Sequence, residues 1–205
     1  MTNLKGMLRK TYVRKNMSSN LMVIDVETSG LPSKRSCSFK ELDAFQDARI
    51  IELAYVILSA DLDQVMKERS VLIRSVDVIN NSDIHGITME DLRREGVSIT
   101  SALDQLAKDL ESVNTIVAHN LEFDLKILRS EIYRQYGNGP LLDDIAKKQN
   151  ICTMLYGKEI MQVKKWPKLT ELYAFLTGNE LNQTHRALDD VYSCVRCFRA
   201  MFAKV

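Results

Sequence analysis

Two carboxylates stand two positions apart at the end of an apolar run: Asp25 and Glu27, within LMVIDVETSGL from Leu21 to Leu31. The apolar residues predict a buried strand that stops at Gly30. Because successive side chains of a strand point to opposite faces, both carboxylates share one face while Val26 returns to the core. Two converging acids repel each other and lose hydration unless a cation joins them, which indicates a hard metal site. The alternative is a pair of solvated acids at a strand end.

A third acid follows a second buried strand. The run Thr115 to Ala118 predicts that strand, and Asn120 is the expected N-cap of a helix that begins directly after it. Asp124 then falls in the first turn of this helix, where we expect the helix dipole to keep the carboxylate ionised. Such a group suits a metal ligand, although an ordinary helix start also places an acid there.

The last stretch with chemical potential is Thr184 to Phe198, THRALDDVYSCVRCF, which predicts a terminal helix. Asp190 lies near its start, and His185 lies five positions earlier. On a regular helix five positions turn by roughly 140°, so His185 can face the same site only from the loop before the helix. Asp189 is the rival of Asp190, and the spacing from His185 favours Asp190.

Length and composition bound the kind of protein. The chain has 205 residues, 45% of them apolar, which fits one domain with a full core. A formal net charge of +1 means that any contact with nucleic acid depends on local basic clusters. Apolar runs such as Leu53 to Leu58 fall short of the ~20 residues that span a bilayer. We therefore expect a soluble, intracellular protein, cytoplasmic in location, without a membrane partner.

Three parts of the chain carry signals that the acids do not explain. Residues 1–19 contain several bases and no acid, which predicts a flexible N-terminal extension, with a phosphate-binding arm or an organelle presequence as alternatives. Lysines surround the only tryptophan, Trp166. They fit either a nucleic-acid strand or a solvated loop with one anchoring ring. Cys194 and Cys197 fit buried thiols on a helix better than a zinc site.

The remaining elements must position these groups. Residues 49–60 and 69–76 predict a β-hairpin beside the first strand. The polar residues 32–48 predict a long loop, either a lid or surface decoration. Gly86 marks a turn, and Thr88 caps a short helix after it.

The motifs resemble, in order, those of the DnaQ-like exonucleases of the DEDDh type: D-x-E in VIDVETSGL, then HGIT, VAHNLEFD, and H-x-x-x-x-D in HRALDD. This family includes proofreading subunits, Trex-type enzymes, RNase T and oligoribonuclease. The resemblance covers residues 20–205 as one exonuclease domain. It implies an α/β, RNase H-like fold with a mixed five-stranded central sheet flanked by helices.

The same resemblance implies roles for particular residues. The metal ligands would be Asp25, Glu27, Asp124 and Asp190, and His185 the general base. Arg186 stands where a related subgroup has tyrosine, which indicates the histidine type. The expected substrate-binding residues are Thr28, Ser29, Leu31, His119 and Asn120. The segment Cys152-Thr153 departs from the Asp-Thr of many proofreading members.

Oxygen ligands suit Mg²⁺, with Mn²⁺ as a substitute, and two ions ~4 Å apart can clamp both oxygens of a phosphodiester displacement. We expect Asp25 to bridge the ions, Glu27 and Asp190 to hold the nucleophile-side ion, and Asp124 the other. An imidazole titrates near neutral pH and can take a proton from the attacking water. His85 and His119 compete with His185 for that role, but we expect His85 to serve a turn and His119 a strand end.

The predicted function is 3′ to 5′ hydrolysis of nucleic acid at a single-stranded or frayed 3′ end, with DNA favoured. One alternative is an exoribonuclease for RNA or short oligonucleotides. Another is a non-catalytic nucleic-acid-binding or polymerase-docking module. The resemblance also admits a polymerase partner and a homodimer.

Overall fold

The computed structural model describes residues 19–74, 76 and 78–202, so nearly all of the predicted N-terminal extension lies outside the described residues. The strands are β1 (Asn20–Thr28), β2 (Ile50–Leu58), β3 (Val65–Leu72), β4 (Val113–Ala118) and β5 (Gln149–Cys152). The helices are α1 (Ser82–His85), α2 (Met89–Glu95), α3 (Ile99–Leu110), α4 (Leu121–Tyr136), α5 (Pro140–Lys147), α6 (Thr153–Met161), α7 (Leu169–Thr177) and α8 (Ala187–Phe202). A 3₁₀ turn covers Leu42–Phe45.

The strands form one mixed sheet in the order β3-β2-β1-β4-β5. β1 pairs antiparallel with β2 and parallel with β4, and β4 pairs parallel with β5. The predicted five-stranded mixed sheet with flanking helices is confirmed. Because β1 and β4 run in the same direction, their carboxyl ends meet at one edge, where β2 begins. The acids predicted at these strand ends therefore share that edge.

Both faces of the sheet are covered. Met22, Ile24 and Val26 pack on the side of α3 and α4, whereas Leu21 and Val23 pack on the side of α7 and α8. A strand buried on both faces needs apolar residues in succession, which explains the apolar run at the start of β1. Because side chains alternate along a strand, Asp25 and Glu27 point to the same face as Leu21 and Val23, which is the face that α8 covers.

The predicted hairpin is confirmed, but β3 begins at Val65, earlier than the apolar pattern indicates, and pairs with Leu58. Its first half is largely solvent-exposed, because β3 is an edge strand and edge strands tolerate polar side chains. The cap of α2 is also confirmed, since the Thr88 hydroxyl accepts from the Asp91 N–H at 3.2 Å.

The segment 32–48 is more firmly packed than its polar sequence suggests. Phe45 and Ala48 are fully buried in the core. The guanidinium of Arg134 donates to the carbonyl oxygens of Leu42 and Phe45, at 3.4 and 3.3 Å. These contacts fix the segment against α4.

Cys194 and Cys197 are buried on α8, and burial raises the pKa of the Cys197 thiol to about 12. They therefore pack as neutral thiols in the core beneath α8. In the described part of the chain, every helix is too short or too polar to cross a membrane.

Candidate active site

Three carboxylates meet at the carboxyl end of β1. Asp25 and Glu27 come from β1 and Asp190 from the first turn of α8, and one oxygen of each lies within 4.8 Å of the others. The alternation of β1 turns its two acids toward α8, and the packing of α8 on β1 brings Asp190 to them. Residues distant in sequence therefore form one acidic group.

Asp124 lies beside this group, although outside the set within 4.8 Å. It occupies the first turn of α4 and is buried. Burial raises the pKa of its carboxyl, and the backbone N–H groups of Val26 and of Asp124 itself oppose that shift. Its charge also raises the pKa of Asp25, which requires the two carboxylates to be near neighbours.

Burial and mutual repulsion shift all four acids in the same direction. Burial, followed by repulsion from the neighbouring acids, raises the pKa of Glu27 to about 8 and that of Asp25 well above its usual value. Burial also raises the pKa of Asp190, and it raises that of Asp124 to about 8. The expectation that the helix dipole keeps Asp124 ionised is therefore wrong for the metal-free protein, because burial outweighs the backbone hydrogen bonds.

This donor set fits a divalent cation. All of the donors are carboxylate oxygens, the ligands that Mg²⁺ and Mn²⁺ prefer, and no histidine or cysteine belongs to the group. A cation among the four acids would relieve the repulsion that raises their pKa values. The chemistry of the site and its electrostatics thus agree.

A fifth buried acid, Glu52, was missed by the sequence reasoning. It lies on β2 directly opposite Glu27 and is 1% exposed. Its carboxylate accepts from Arg186 Nη2 at 2.8 Å and Nε at 3.1 Å, from the Ala187 N–H at 3.0 Å and from the Ser70 hydroxyl at 3.2 Å. Glu52 thereby fixes the chain between His185 and the start of α8. The available signal was an acid inside an otherwise apolar strand, which requires a buried partner.

His185 lies in the loop before α8, as predicted, with a φ of 52°. Burial raises the pKa of Asp190, and both the Gln183 side chain and His185 oppose that shift, so the imidazole is close to that carboxylate. Gln183 Nε2 donates to Asp190 at 2.8 Å. The neighbouring Asp189 is exposed and accepts from the Thr184 hydroxyl at 2.5 Å instead. Of the two adjacent aspartates, Asp190 is the one that the fold turns toward the acidic group.

The other two histidines have internal partners. His85 Nδ1 accepts from the Ile87 N–H at 3.1 Å, and its Nε2 faces the Asn81 side-chain oxygen at 3.3 Å. His119 Nδ1 lies 3.1 Å from the Thr153 hydroxyl, and its Nε2 lies 3.0 Å from the Pro167 carbonyl oxygen. Burial lowers the pKa of both imidazoles. Both imidazoles have hydrogen-bonding partners within the fold.

The predicted substrate-binding residues after β1 differ in exposure. Thr28 is buried, and its hydroxyl donates to the Gly30 carbonyl oxygen at 2.8 Å. The Ser29 hydroxyl donates to the Asp47 carbonyl oxygen at 2.7 Å and accepts from the Arg49 N–H at 3.1 Å. Leu31 is 71% exposed. The two hydroxyls thus shape the turn, while Leu31 offers an apolar surface beside the acids.

At the end of β4, Asn120 is exposed and has a φ of 72°. It occupies the N-cap position of α4, but its side chain makes no capping hydrogen bond, so that part of the prediction is wrong. The left-handed backbone conformation directs the side chain away from the first N–H groups of α4. Asn120 therefore presents its amide to solvent at the rim of the site.

The comparisons with known proteins agree with this geometry. The family model described as Exonuclease (RNase_T) matches residues 22–198. The chain therefore belongs to this exonuclease family, and the resemblance to the DnaQ-like exonucleases is confirmed. No curated protein sequence matches the chain.

Solved structures share the fold at low sequence identity. An E. coli exonuclease I in complex with a dA16 oligonucleotide has a TM-score of 0.67 and 16% sequence identity, and the match covers 89% of this chain and 40% of that one. A 3′-exonuclease described in 3′-end recognition of a histone mRNA stem-loop has a TM-score of 0.68 and 17% sequence identity. That match covers 97% of this chain and 71% of the other chain. Exonuclease X in complex with 5′ overhanging duplex DNA has a TM-score of 0.59 and 21% sequence identity. That match covers 88% of this chain and 90% of the exonuclease X chain. The chain thus spans less than half the length of the exonuclease I structure.

Proposed function

We propose that the protein is a metal-dependent 3′ to 5′ exonuclease, and that residues 20–205 form its catalytic domain. The observation that carries the proposal is the meeting of Asp25, Glu27 and Asp190 within 4.8 Å, with Asp124 beside them. Such a partly buried group of converging acids is unfavourable without a cation. The family match, which lies within the proposed domain, supports the same chemistry.

In this proposal Asp25, Glu27, Asp124 and Asp190 would hold two divalent ions, Mg²⁺ or Mn²⁺, and Asp25 would be a ligand of both. The bound ions would supply acidification of the attacking water and neutralisation of the charge on the scissile phosphate. His185 accepts the proton of that water at an imidazole nitrogen. Glu52 and Arg186 keep the loop in place, so that His185 and Asp190 approach the water from the same side. Leu31 and Asn120 contact the terminal nucleotide at the rim, and Thr28, Ser29 and His119 support them from below.

We propose DNA as the favoured substrate and RNA as the alternative. Two of the structures described above contain DNA, and the third concerns an mRNA 3′ end. The test is digestion of 5′-labelled single-stranded DNA, duplex DNA and RNA of matched sequence, each with Mg²⁺ or Mn²⁺. We expect a ladder of products shortened from the 3′ end, fastest on single-stranded DNA.

Two variants make this test specific to the acidic group. Asp25→Asn removes a charge from the site and should abolish the ladder. Asp189→Asn changes the exposed neighbour of Asp190 and should leave the digestion rate within about twofold. If every substrate stays intact with every divalent metal, the protein is instead a binding module, of the kind that docks on a polymerase or a second copy.

A further inference from the structure

A cleft of about 600 Å³ lies along helix α4. It is lined by the outer face of α4, by Asn150 and Cys152 of the edge strand β5, and by Trp166. Its lining includes Asn120, which precedes Asp124 by one helical turn. Because Asn120 stands at the rim of the proposed active site, the cleft reaches that rim.

The α4 wall carries positive charge on the side of the cleft. Glu122, Leu125, Lys126 and Arg129 line it at the spacing of one helix face. Lys126 Nζ lies 3.6 Å from the Glu122 carboxylate, which is itself solvent-exposed, and 3.3 Å from the Arg35 carbonyl oxygen. The Arg129 guanidinium makes no hydrogen bond or ion pair with any residue that the structure describes. Lys126 and Arg129 together outweigh the single, solvated carboxylate of Glu122, so this face of α4 has a net positive charge. Arg129 is therefore available to bind a ligand.

Exposed apolar side chains also line the cleft. Trp166 is 60% exposed, and Leu155 is half exposed. Most of the Trp166 ring therefore faces solvent, which favours the alternative of a nucleic-acid strand. Lys164 and Lys165 precede it in the sequence. An exposed aromatic ring and cationic side chains that line one cleft form an arrangement with which proteins stack bases and hold phosphates.

We propose that this cleft binds the single strand upstream of the nucleotide being removed, with a base stacked on Trp166 and phosphates at Arg129 and Lys126. From Asn120 to Arg129 the helix extends about 14 Å. That length corresponds to about four nucleotides at the 3.4 Å spacing of a duplex strand, and to fewer in an extended strand. The proposal rests on the proposed function, since the acidic group fixes which end of the strand enters.

The first experiment reports binding without catalysis. Trp166 is the only tryptophan, so the intrinsic tryptophan fluorescence of the full chain comes from this position alone. We expect a single-stranded oligodeoxynucleotide, titrated in Ca²⁺ buffer without Mg²⁺ or Mn²⁺, to change that fluorescence saturably. A dinucleotide, which reaches only the acidic group, should leave the fluorescence unchanged.

The second experiment separates the cleft from the chemistry. Trp166→Ala and Arg129→Gln should each raise the KM for a long single strand about tenfold, with the kcat/KM for a dinucleotide unchanged. Arg129→Gln should also reduce the slope of log affinity against log salt by about 0.7, whereas Trp166→Ala should not alter it. Phe175→Ala removes another half-exposed ring, and Lys108→Gln another exposed base; neither lines the cleft, and both should behave as wild type.

The outcomes distinguish the two proposals. If long strands are digested but leave the fluorescence unchanged, and both cleft variants behave as wild type, the cleft proposal is overturned and a protein segment becomes the better occupant. If no substrate is digested but the oligonucleotide still changes the fluorescence and Arg129→Gln weakens binding, the cleft proposal stands while the exonuclease fails. An absent fluorescence response together with absent digestion overturns both.

Discussion

Replacing Glu27 by glutamine should stabilise the metal-free protein, although the side chain belongs to the proposed catalytic group. In the fold, burial and the neighbouring acids raise the pKa of Glu27 from 4.5 to about 8. At 1.36 kcal/mol per pKa unit, this shift lowers the stability of the folded state at pH 7 by about 3 kcal/mol, because the unfolded chain releases the Glu27 proton at that pH and the folded protein retains it. Solvent reaches part of the side chain and screens the charge, so we expect a gain of about 2 kcal/mol.

The pH dependence identifies the cause. Between pH 4.5 and about pH 8 the folded protein binds more protons at Glu27 than the unfolded chain does, so this group makes stability fall as pH rises. Glutamine does not titrate. The advantage of Glu27→Gln should therefore be near zero below pH 4.5 and complete above about pH 8.

Urea denaturation in EDTA across this pH range measures the effect. Glu122→Gln removes a carboxylate that is exposed on α4 and should leave the free energy of unfolding within about 0.5 kcal/mol at every pH. Mg²⁺ should stabilise the wild type more than Glu27→Gln, because the cation offsets the repulsion that the substitution removes. A Glu27→Gln protein that is less stable than wild type at pH 8 in EDTA would refute the reasoning.

Three further predictions concern other parts of the structure. Arg186→Gln leaves Glu52 buried without its ion pair and should lower the free energy of unfolding by about 3 kcal/mol, measured by urea denaturation at pH 7. Arg186→Lys keeps the charge, so its free energy of unfolding should lie between those of Arg186→Gln and the wild type. His185→Ala should lower kcat about 10²-fold at unchanged Mg²⁺ affinity, and loss of Mg²⁺ binding in calorimetry would contradict a role as base. Phe45→Ala empties a fully buried site and should cost about 3–5 kcal/mol in the same denaturation assay, whereas a cost below 1 kcal/mol would mean that the 32–48 segment packs loosely.

The parts of the fold that the sequence predicts are those with local causes. The apolar run of β1, the Thr88 cap and the buried stripe of α8 depend on residues within a few positions of one another. The positions of the four acids also followed from strand alternation and helix starts. In each case the backbone geometry of one element determines where its side chain points.

The parts that escaped prediction depend on contacts between distant residues. The partner of Glu52 is Arg186, which reaches it from the loop before the last helix. The raised pKa of Asp124 depends on burial under the folded chain, so the helix dipole alone gave the wrong direction. Phe45 is fully buried whereas Trp166 is mostly exposed, because tertiary packing decides which ring of a polar segment is covered.

The location of Asp190 in the first turn of α8 has a consequence for biosynthesis. A nascent chain that ends before Thr184 lacks one of the three converging carboxylates, the His185 imidazole, and the Arg186 guanidinium that neutralises Glu52. Such a chain carries at most a partial set of ligands, and its buried glutamate has no counter-charge. Ribosomal products that terminate before this point should therefore be unstable and should lack the complete acidic group.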